Sequence, residues 1–395
     1  MDLTFSLEDE AFRSEVRSFL GETLPPELAG MESQGFHLHR TQVAEWHRAL
    51  YRRGWAAPNW PKEYGGPGWS PIQKYIFEIE NGLANAPEIS PLALSMVGPV
   101  ICRFGAQEMK ATFLEPILRG DLWFCQGFSE PQAGSDLANL RTRAVRDGDE
   151  YVISGQKTWT TAAHMADYMM CLARTNPTVK PQAGLSMILV PMTTKGVTVR
   201  PIYTIDGSHN INEVFLDDVR VPVENLVGTP DTGWTQAKFL LNHERTHNAY
   251  AGMLKRYAAR FPALIDHALA NGLSSVAATE YRRAAARLEI DIDAQEWSVL
   301  RILASDEGHG LTAAASALKV RGSELLLRAG ELEQSIAGAQ MAPRFHPHDT
   351  APFKGEAHEL VPGSVDRYLY FRAATIFGGS NEIQRGLIWN TLFRG

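Results

Sequence analysis

The densest concentration of residues able to do chemistry is the stretch Phe124-Cys-Gln-Gly-Phe-Ser-Glu-Pro-Gln-Ala-Gly-Ser-Asp136. Gly127 and Gly134 let the backbone approach a ligand closely, and Gln126, Ser129 and Ser135 bring donors suited to a flat heteroaromatic or a phosphate. On chemistry alone the stretch also suits an ordinary polar turn whose serines cap local backbone groups. A second special segment follows a strand-like run and reads Gly155-Gln-Lys-Thr-Trp-Thr-Thr161. Cys102, Cys125 and Cys171 stand singly, with no CxxC pair and no histidine at metal-ligand spacing, so no metal site is expected and the three read as buried thiols.

These segments need elements to position them, and the texture of the chain changes around them. Up to residue 120 the apolar residues recur at helical spacing. Phe12, Val16, Phe19 and Leu20 follow a plausible N-cap at Ser6; Val43, Trp46 and Leu50 share one face of a helix stopped by Gly54. Helical texture resumes over Ile72 to Leu83 and Glu108 to Leu118 after a Pro- and Gly-rich loop. From Asp121 to about Pro222 the pattern is of short β-rich runs cut by turns: Glu150–Ser154, Tyr168–Ala173, Leu185–Pro191, Val197–Ile202 and Glu213–Pro222. Helical periodicity returns with one helix expected over Trp234 to Leu254, then Tyr281 to Leu303 and Leu311 to Gly330. Gln340 to Gly363, rich in Pro and His, reads as a long loop. The expectation is an α+β chain of three domains: helices over 1–120, a β-barrel-like domain over 121–231 and a helical bundle over 232–395.

With 395 residues, 44% of them hydrophobic and 21% charged, the composition is that of an ordinary globular protein with several cores. No apolar run approaches the roughly 20 residues that span a bilayer. The acidic start lacks the features of a signal or transit peptide, so a cytoplasmic location is expected. A net charge of −7 argues against a nucleic-acid partner.

Taken together, the two special segments resemble the flavin-binding signature of the acyl-CoA dehydrogenases: a T/S-E-P-x-A-G-S-D turn followed by a G-x-K-x-W-x-T strand. The resemblance extends over nearly the whole chain, because that family is also built as N-terminal helices, a β domain and a C-terminal four-helix unit. It implies FAD as cofactor. Gln126, Phe128 and Ser129 fall at positions that contact the flavin ring edge, and Gly134 and Ser135 where the flavin and the pantetheine end of the acyl-CoA are held. Trp159, Thr160 and Thr161 fall in the strand that covers the isoalloxazine face and bonds its polar edge. The plain alternatives are core packing for Trp159 and turn capping for the serines.

The resemblance also implies α,β-dehydrogenation of an acyl-CoA to the 2-enoyl-CoA, with a carboxylate taking the α-proton and flavin N5 accepting the β-hydride. Burial beside an apolar ligand raises a carboxylate's proton affinity and makes it a competent base. In one branch of the family the base sits near the C-terminus, in Y-E-G-T-x-x-I-Q-R. Here that stretch is Phe377-Gly-Gly-Ser-Asn-Glu-Ile-Gln-Arg385, and the base position is Gly378. In another branch it is a Glu-Arg pair on the first helix of the C-terminal domain, matched here by Glu244 and Arg245. Glu244 is the candidate base, Arg245 supports the CoA end, and the Gly378 N–H donates to the thioester oxygen. Ser380 and Glu382 match positions near the ribityl and diphosphate groups, and His243 and His247 flank Glu244. The family's R-x-x-F-G and Q-x-x-G-G-x-G segments for the FAD adenine end are missing, with Arg282 the nearest substitute. Such departures resemble a bacterial branch acting on steroid side chains, dicarboxylic acids such as pimeloyl, and branched acids. The partners implied are an acyl-CoA substrate, an electron acceptor such as an electron-transfer flavoprotein, and either copies of this chain (a dimer or tetramer) or a sibling subunit in a heterotetramer. Two alternatives stay open: an oxidase or flavin monooxygenase on the same fold, and a silent subunit completing another chain's site.

Overall fold

The computed structural model describes residues 5–33, 38–247, 249–304, 311–338 and 364–393, the side chains of 242–247 and 311–312 excepted. The stretch expected to loop, 340–363, lies outside these residues. Helix α1 (Leu7–Thr23) begins where expected, with the Ser6 hydroxyl accepting from the Asp9 N–H at 3.1 Å, and it buries Phe12, Val16 and Leu20. After α2 (Pro26–Ser33), α3 (Arg40–Arg53) ends at Gly54, which takes φ 75°, the left-handed cap its position requires. Helices α4 (Pro71–Leu83), α5 (Gly98–Phe104) and α6 (Gln107–Arg119) complete the first layer, and a π-helical segment over Leu92–Val97 runs directly into α5. Trp46, Ile101 and Ile117 are all but inaccessible in the core these helices share.

The middle of the chain forms one curled sheet of seven strands: β1 (Phe124–Gly127), β2 (Arg143–Asp147), β3 (Glu150–Thr161), β4 (Tyr168–Arg174), β5 (Leu185–Pro191), β6 (Val197–Ile202) and β7 (Ile211–Pro222). The order is β1-β4-β2-β3-β7-β6, with β5 also paired to β4. The sequence pattern misses β1, too short for alternation to show, and β2, whose residues are almost all exposed. Five consecutive residues of β4, Met169 to Ala173, are buried because both faces of that strand are covered. Cys125 and Cys171 lie in this β core and Cys102 in the helical one, and burial pushes the thiols of Cys102 and Cys171 up to about 11.

The last part contains α7 (Gly233–His247), α8 (Ala251–Ala270), α9 (Ser275–Leu303), α10 (Leu311–Ala337), α11 (Ser364–Phe371) and α12 (Asn381–Phe393). The single helix expected over Trp234 to Leu254 is in fact two, interrupted at Tyr250, whose φ is 56°. The physical reason is a change of partner. Ala237 and Leu240 of α7 belong to the core of the N-terminal helices and the sheet, whereas Leu254, Tyr257 and Phe261 of α8 belong to a second core with α9 and α10. A straight helix cannot present its apolar stripe to both.

Helix α8 reaches the N-terminal layer by crossing α4 at two glycines. A Cβ on Gly82 would lie 2.5 Å from the Gly252 carbonyl oxygen, and one on Gly252 would lie 2.7 Å from the Glu78 carbonyl oxygen. Both obstacles are backbone, so neither can swing aside. Gly82→Val or Gly252→Val is expected to cost about 1–3 kcal/mol through forced separation of the helices. The control Gly30→Ala, where the added methyl meets nothing within 4 Å, should be neutral or stabilising. Urea unfolding midpoints of the three variants check this.

Candidate active site

A buried ion pair joins the two special segments. Lys157 of β3, fully inaccessible, donates to the Glu130 carboxylate at 2.9 Å, to the Phe128 carbonyl at 3.1 Å and to the Leu172 carbonyl at 2.7 Å, which uses all three of its protons. Glu130 in turn accepts from the N–H groups of Arg141 at 2.6 Å and Thr142 at 2.8 Å and from the Gln132 amide at 2.7 Å. Burial by itself raises the Glu130 carboxyl, but the Lys157 ammonium and the hydrogen bonds from Thr142 and Arg141 outweigh it and hold the group down at about 2. Glu130 and Ala133 close a tight turn with reciprocal 3.0 Å bonds, and the Ser129 carbonyl accepts from the Thr158 N–H at 2.9 Å. Sequence reasoning passed over Glu130 and Lys157 as individuals, although each stands inside one of the two segments it singled out. An acid in one and a base in the other was the available signal.

The pair fixes where the expected ligand-facing residues stand. Between Lys157 and Thr160 the register of β3 against β7 shifts, and Trp159 takes φ 56°. Such a bulge re-aims a side chain: Thr158 and Thr160 point inward while the Trp159 indole is 61% exposed, which rules out core packing for it. The Thr160 hydroxyl oxygen is buried without a hydrogen-bond partner among the described residues, and its carbonyl accepts from the Asn212 amide at 3.0 Å. Thr161 pairs with Ile211 and is half-buried. Gln126 lies on β1 two residues from Phe124 and so on the same face. Among the described residues, the side chains of Gln126, Ser129 and Thr161 form no hydrogen bond. Phe128 is different: its ring is buried in the core, and its carbonyl is used by Lys157. Gly127 is needed for packing, since a Cβ there would lie 2.4 Å from the Met169 sulfur. Gly134 and Ser135 are exposed beyond the turn, with nothing within 4 Å of a Cβ built on Gly134. A large open indole beside unpartnered hydroxyl and amide groups fits a flat heteroaromatic with polar edges, as a flavin is.

A cavity of about 280 Å³ opens from this strand end. Thr161, Ala162 and Phe124 line it on the sheet side, Leu38, Val43 and Leu92 supply apolar wall, and Met253, Arg256, Arg367 and Tyr370 close it from α8 and α11. The Tyr370 ring is 6.4 Å from that of Phe377, which brings the Gly378 turn beside the cavity. Gly378 and Gly379 take φ 65° and 82°, and the Gln384 amide holds their carbonyls at 3.2 and 3.5 Å. Ser380 caps α12 through the Ile383 N–H at 3.4 Å. Glu382 is exposed, its carboxyl lowered by its own backbone N–H and the Ser380 hydroxyl. Arg282 is at the surface with Asp266 at 2.7 Å. Glu244, Arg245, His243 and His247 lie on the helical backbone of α7, in the span whose side chains are outside the description. Among the described residues no group of His, Cys, Asp and Glu forms a metal site, and no helix is long and apolar enough to cross a membrane.

Three family models match the chain in order: the N-terminal domain of acyl-CoA dehydrogenases over residues 6–121, the middle domain over 125–219 and the C-terminal domain over 231–393. The chain belongs to the acyl-CoA dehydrogenase family and has its fold, an N-terminal helical domain, a middle sheet domain and a C-terminal helical domain. Membership makes it an oxidoreductase acting on acyl-CoA and implies FAD as cofactor. It is 32% identical to the acyl-CoA dehydrogenase FadE29 of Mycobacterium tuberculosis, over 98% of this chain and 97% of the relative. Among solved structures it is similar to the ChsE4-ChsE5 complex from the same organism (TM-score 0.83, 32% identity, 100% of this chain and 99% of that one). It is also similar to the steroid acyl-CoA dehydrogenase Tcur3481-Tcur3483 (TM-score 0.84, 31% identity, 99% and 98%).

The Glu130 carboxyl titrates at about 2 in the folded chain against an ordinary 4.5, so its contribution to stability is complete above pH 4.5 and lost as the pH falls through 2. Glu130→Gln leaves the Lys157 charge buried without a counter-charge. It is expected to cost about 3–5 kcal/mol at pH 7 and to flatten the acid limb of stability between pH 4.5 and 2. Urea titrations of both proteins across that range check it, and equal stability at pH 7 overturns it.

Proposed function

We propose that the chain oxidises an acyl-CoA thioester to the 2-enoyl-CoA, with Glu244 as the base for the α-proton. The observation that carries this is the cavity, lined by Thr161, at the end of the strand that matches the flavin signature, by α8, the helix that follows the one bearing Glu244, and by Tyr370, whose ring lies 6.4 Å from that of Phe377 before the Gly378 turn. Trp159, Gln126, Ser129, Thr160 and Thr161 would hold the flavin ring, and Gly134 and Ser135 its outer parts and the pantetheine arm. When bound, FAD supplies the two-electron acceptor for the hydrogen leaving the β-carbon.

The protein's own share is positioning and proton transfer. The apolar wall of Leu38, Val43 and Leu92 excludes water from the acyl group, which strengthens every polar interaction inside. The Gly378 N–H, bonded to no other described residue, stabilises negative charge on the thioester oxygen as the α-proton departs. The carbonyls on the other side of that turn are already held by Gln384, so its orientation is set before substrate arrives. Arg245 supports the CoA end and Ser380 with Glu382 the ribityl and diphosphate region of the cofactor.

We further propose that the acyl group belongs to steroid breakdown and that a second subunit takes part. Support comes from two structural neighbours, the steroid acyl-CoA dehydrogenase Tcur3481-Tcur3483 and the ChsE4-ChsE5 complex. Helix α12 exposes Ile383, Trp389, Leu392 and Phe393, apolar surface that association would cover. Native mass measurement of the protein alone and with its sibling chain reads the assembly.

Glu244→Gln removes the base at nearly constant size. The variant is expected to keep its flavin absorbance but to be bleached by acyl-CoA under anaerobic conditions about 10²- to 10⁴-fold more slowly, the usual contribution of general base catalysis. Bleaching at the parent's rate sinks both the base assignment and the mechanism. Rapid oxygen uptake on adding acyl-CoA would instead favour an oxidase.

A further inference from the structure

The side of the cavity closed by α8 and α11 is not built for a plain hydrocarbon. Arg256, Arg367, Glu32 and Glu88 line the cavity, and the charges of the other three all act on Glu32. Arg256 is only 8% exposed, yet of its five N–H groups just one is used among the described residues, Nη1 to Glu32 at 3.1 Å. Arg367, 4% exposed, is more fully engaged, donating to the Ser33 carbonyl at 2.8 Å and to Glu333 at 3.2 Å. On the sheet side, next to Ala162, the Asn210 amide donates to the Tyr370 hydroxyl at 3.2 Å.

We infer that this side of the cavity is a subsite for an uncharged oxygen, a carbonyl or hydroxyl, carried on the acyl group remote from the thioester. The inference rests on the acyl-CoA reading above and names the class of acyl group. Two physical arguments carry it. First, a buried guanidinium with unused N–H groups is costly to cover with hydrocarbon, because each desolvated donor loses its water without gaining a partner. A substrate oxygen at Arg256 restores that bond, and a hydroxyl can also donate to Glu32. Second, the charges on the lining balance, with Arg256 and Arg367 against Glu32 and Glu88, so the cavity has no surplus positive charge to draw in a carboxylate. Glu32, paired with Arg256 at 3.1 Å, already occupies the place of the counter-charge that a ligand carboxylate would have to take.

The test uses the flavin-loaded full chain and three product-type ligands of equal length, which cannot be dehydrogenated again: 2-octenoyl-CoA, 7-oxo-2-octenoyl-CoA and 2-octenedioyl-CoA. Calorimetric dissociation constants are expected to favour the oxo ligand over the plain one by about 10- to 100-fold, the usual effect of one hydrogen bond to a charged group. Arg256→Met should erase that preference while leaving 2-octenoyl-CoA bound as well or better, and Arg256→Lys should restore part of it. Equal binding of the oxo and plain ligands by the parent overturns the inference without need of any variant, as does a preference that survives in Arg256→Met. Tightest binding of the dicarboxylic ligand overturns the assignment of an uncharged oxygen. Failure of every saturated acyl-CoA to bleach the flavin, with the oxo preference intact, would overturn the dehydrogenase reading and leave the subsite standing.

Discussion

The Lys157–Glu130 pair is the constraint on which the rest of the site depends. A turn at the edge of the sheet and a strand in its middle are joined by one ammonium that serves a carboxylate and two carbonyls, with no proton left over. Replacing such a pair with well-packed apolar groups is often neutral for stability, so its retention is better understood as geometric. This arrangement sits beside the Thr158 N–H to Ser129 carbonyl bond and directly before the residues that bulge outward after Lys157. The exposed Trp159 indole lies in that bulge, and Thr161 just beyond it lines the cavity.

The turn and strand stood out in the sequence as segments, because their special residues are clustered within a few positions of one another, but the Glu130–Lys157 pair that joins them did not. Helix α1 with Ser6 as cap and α3 with Gly54 as stop were legible for the same reason, since caps and apolar stripes are local properties. What escaped was set over long distances. The break at Tyr250 comes from two cores competing for one amphipathic stretch, and no single window of sequence holds both. Gly127 looked like room for a ligand, but what requires it is Met169 across the β1–β4 pairing. Arg256 and Arg367 drew no notice in the sequence because only folding brings them to one cavity with Glu32, over 200 positions away.

The glycine crossing of α4 and α8 links that cavity to the fold. Because Gly82 and Gly252 bring backbones into contact, α8 lies close enough to the N-terminal layer for Met253 and Arg256, one and four positions on, to reach the cavity wall. A wider crossing would lift Arg256 away from Glu32 and open the cavity to water. Packing between α4 and α8 therefore bears on how dry and how polar the cavity is.

The same logic bears on the missing carboxylate at position 378. Gly378 and Gly379 both hold left-handed backbone, and the Gln384 clamp on their carbonyls keeps them there. For any residue with a Cβ that conformation costs roughly 1–2 kcal/mol. A glutamate added at 378 would therefore either strain the turn or rotate it, and rotation would displace the N–H proposed to stabilise the thioester oxygen. The turn as it stands is suited to a backbone donor and poorly suited to a side-chain base. The proposed base on α7 would leave the turn free to serve as donor alone, and the two proposed tasks would then fall on separate elements of the fold.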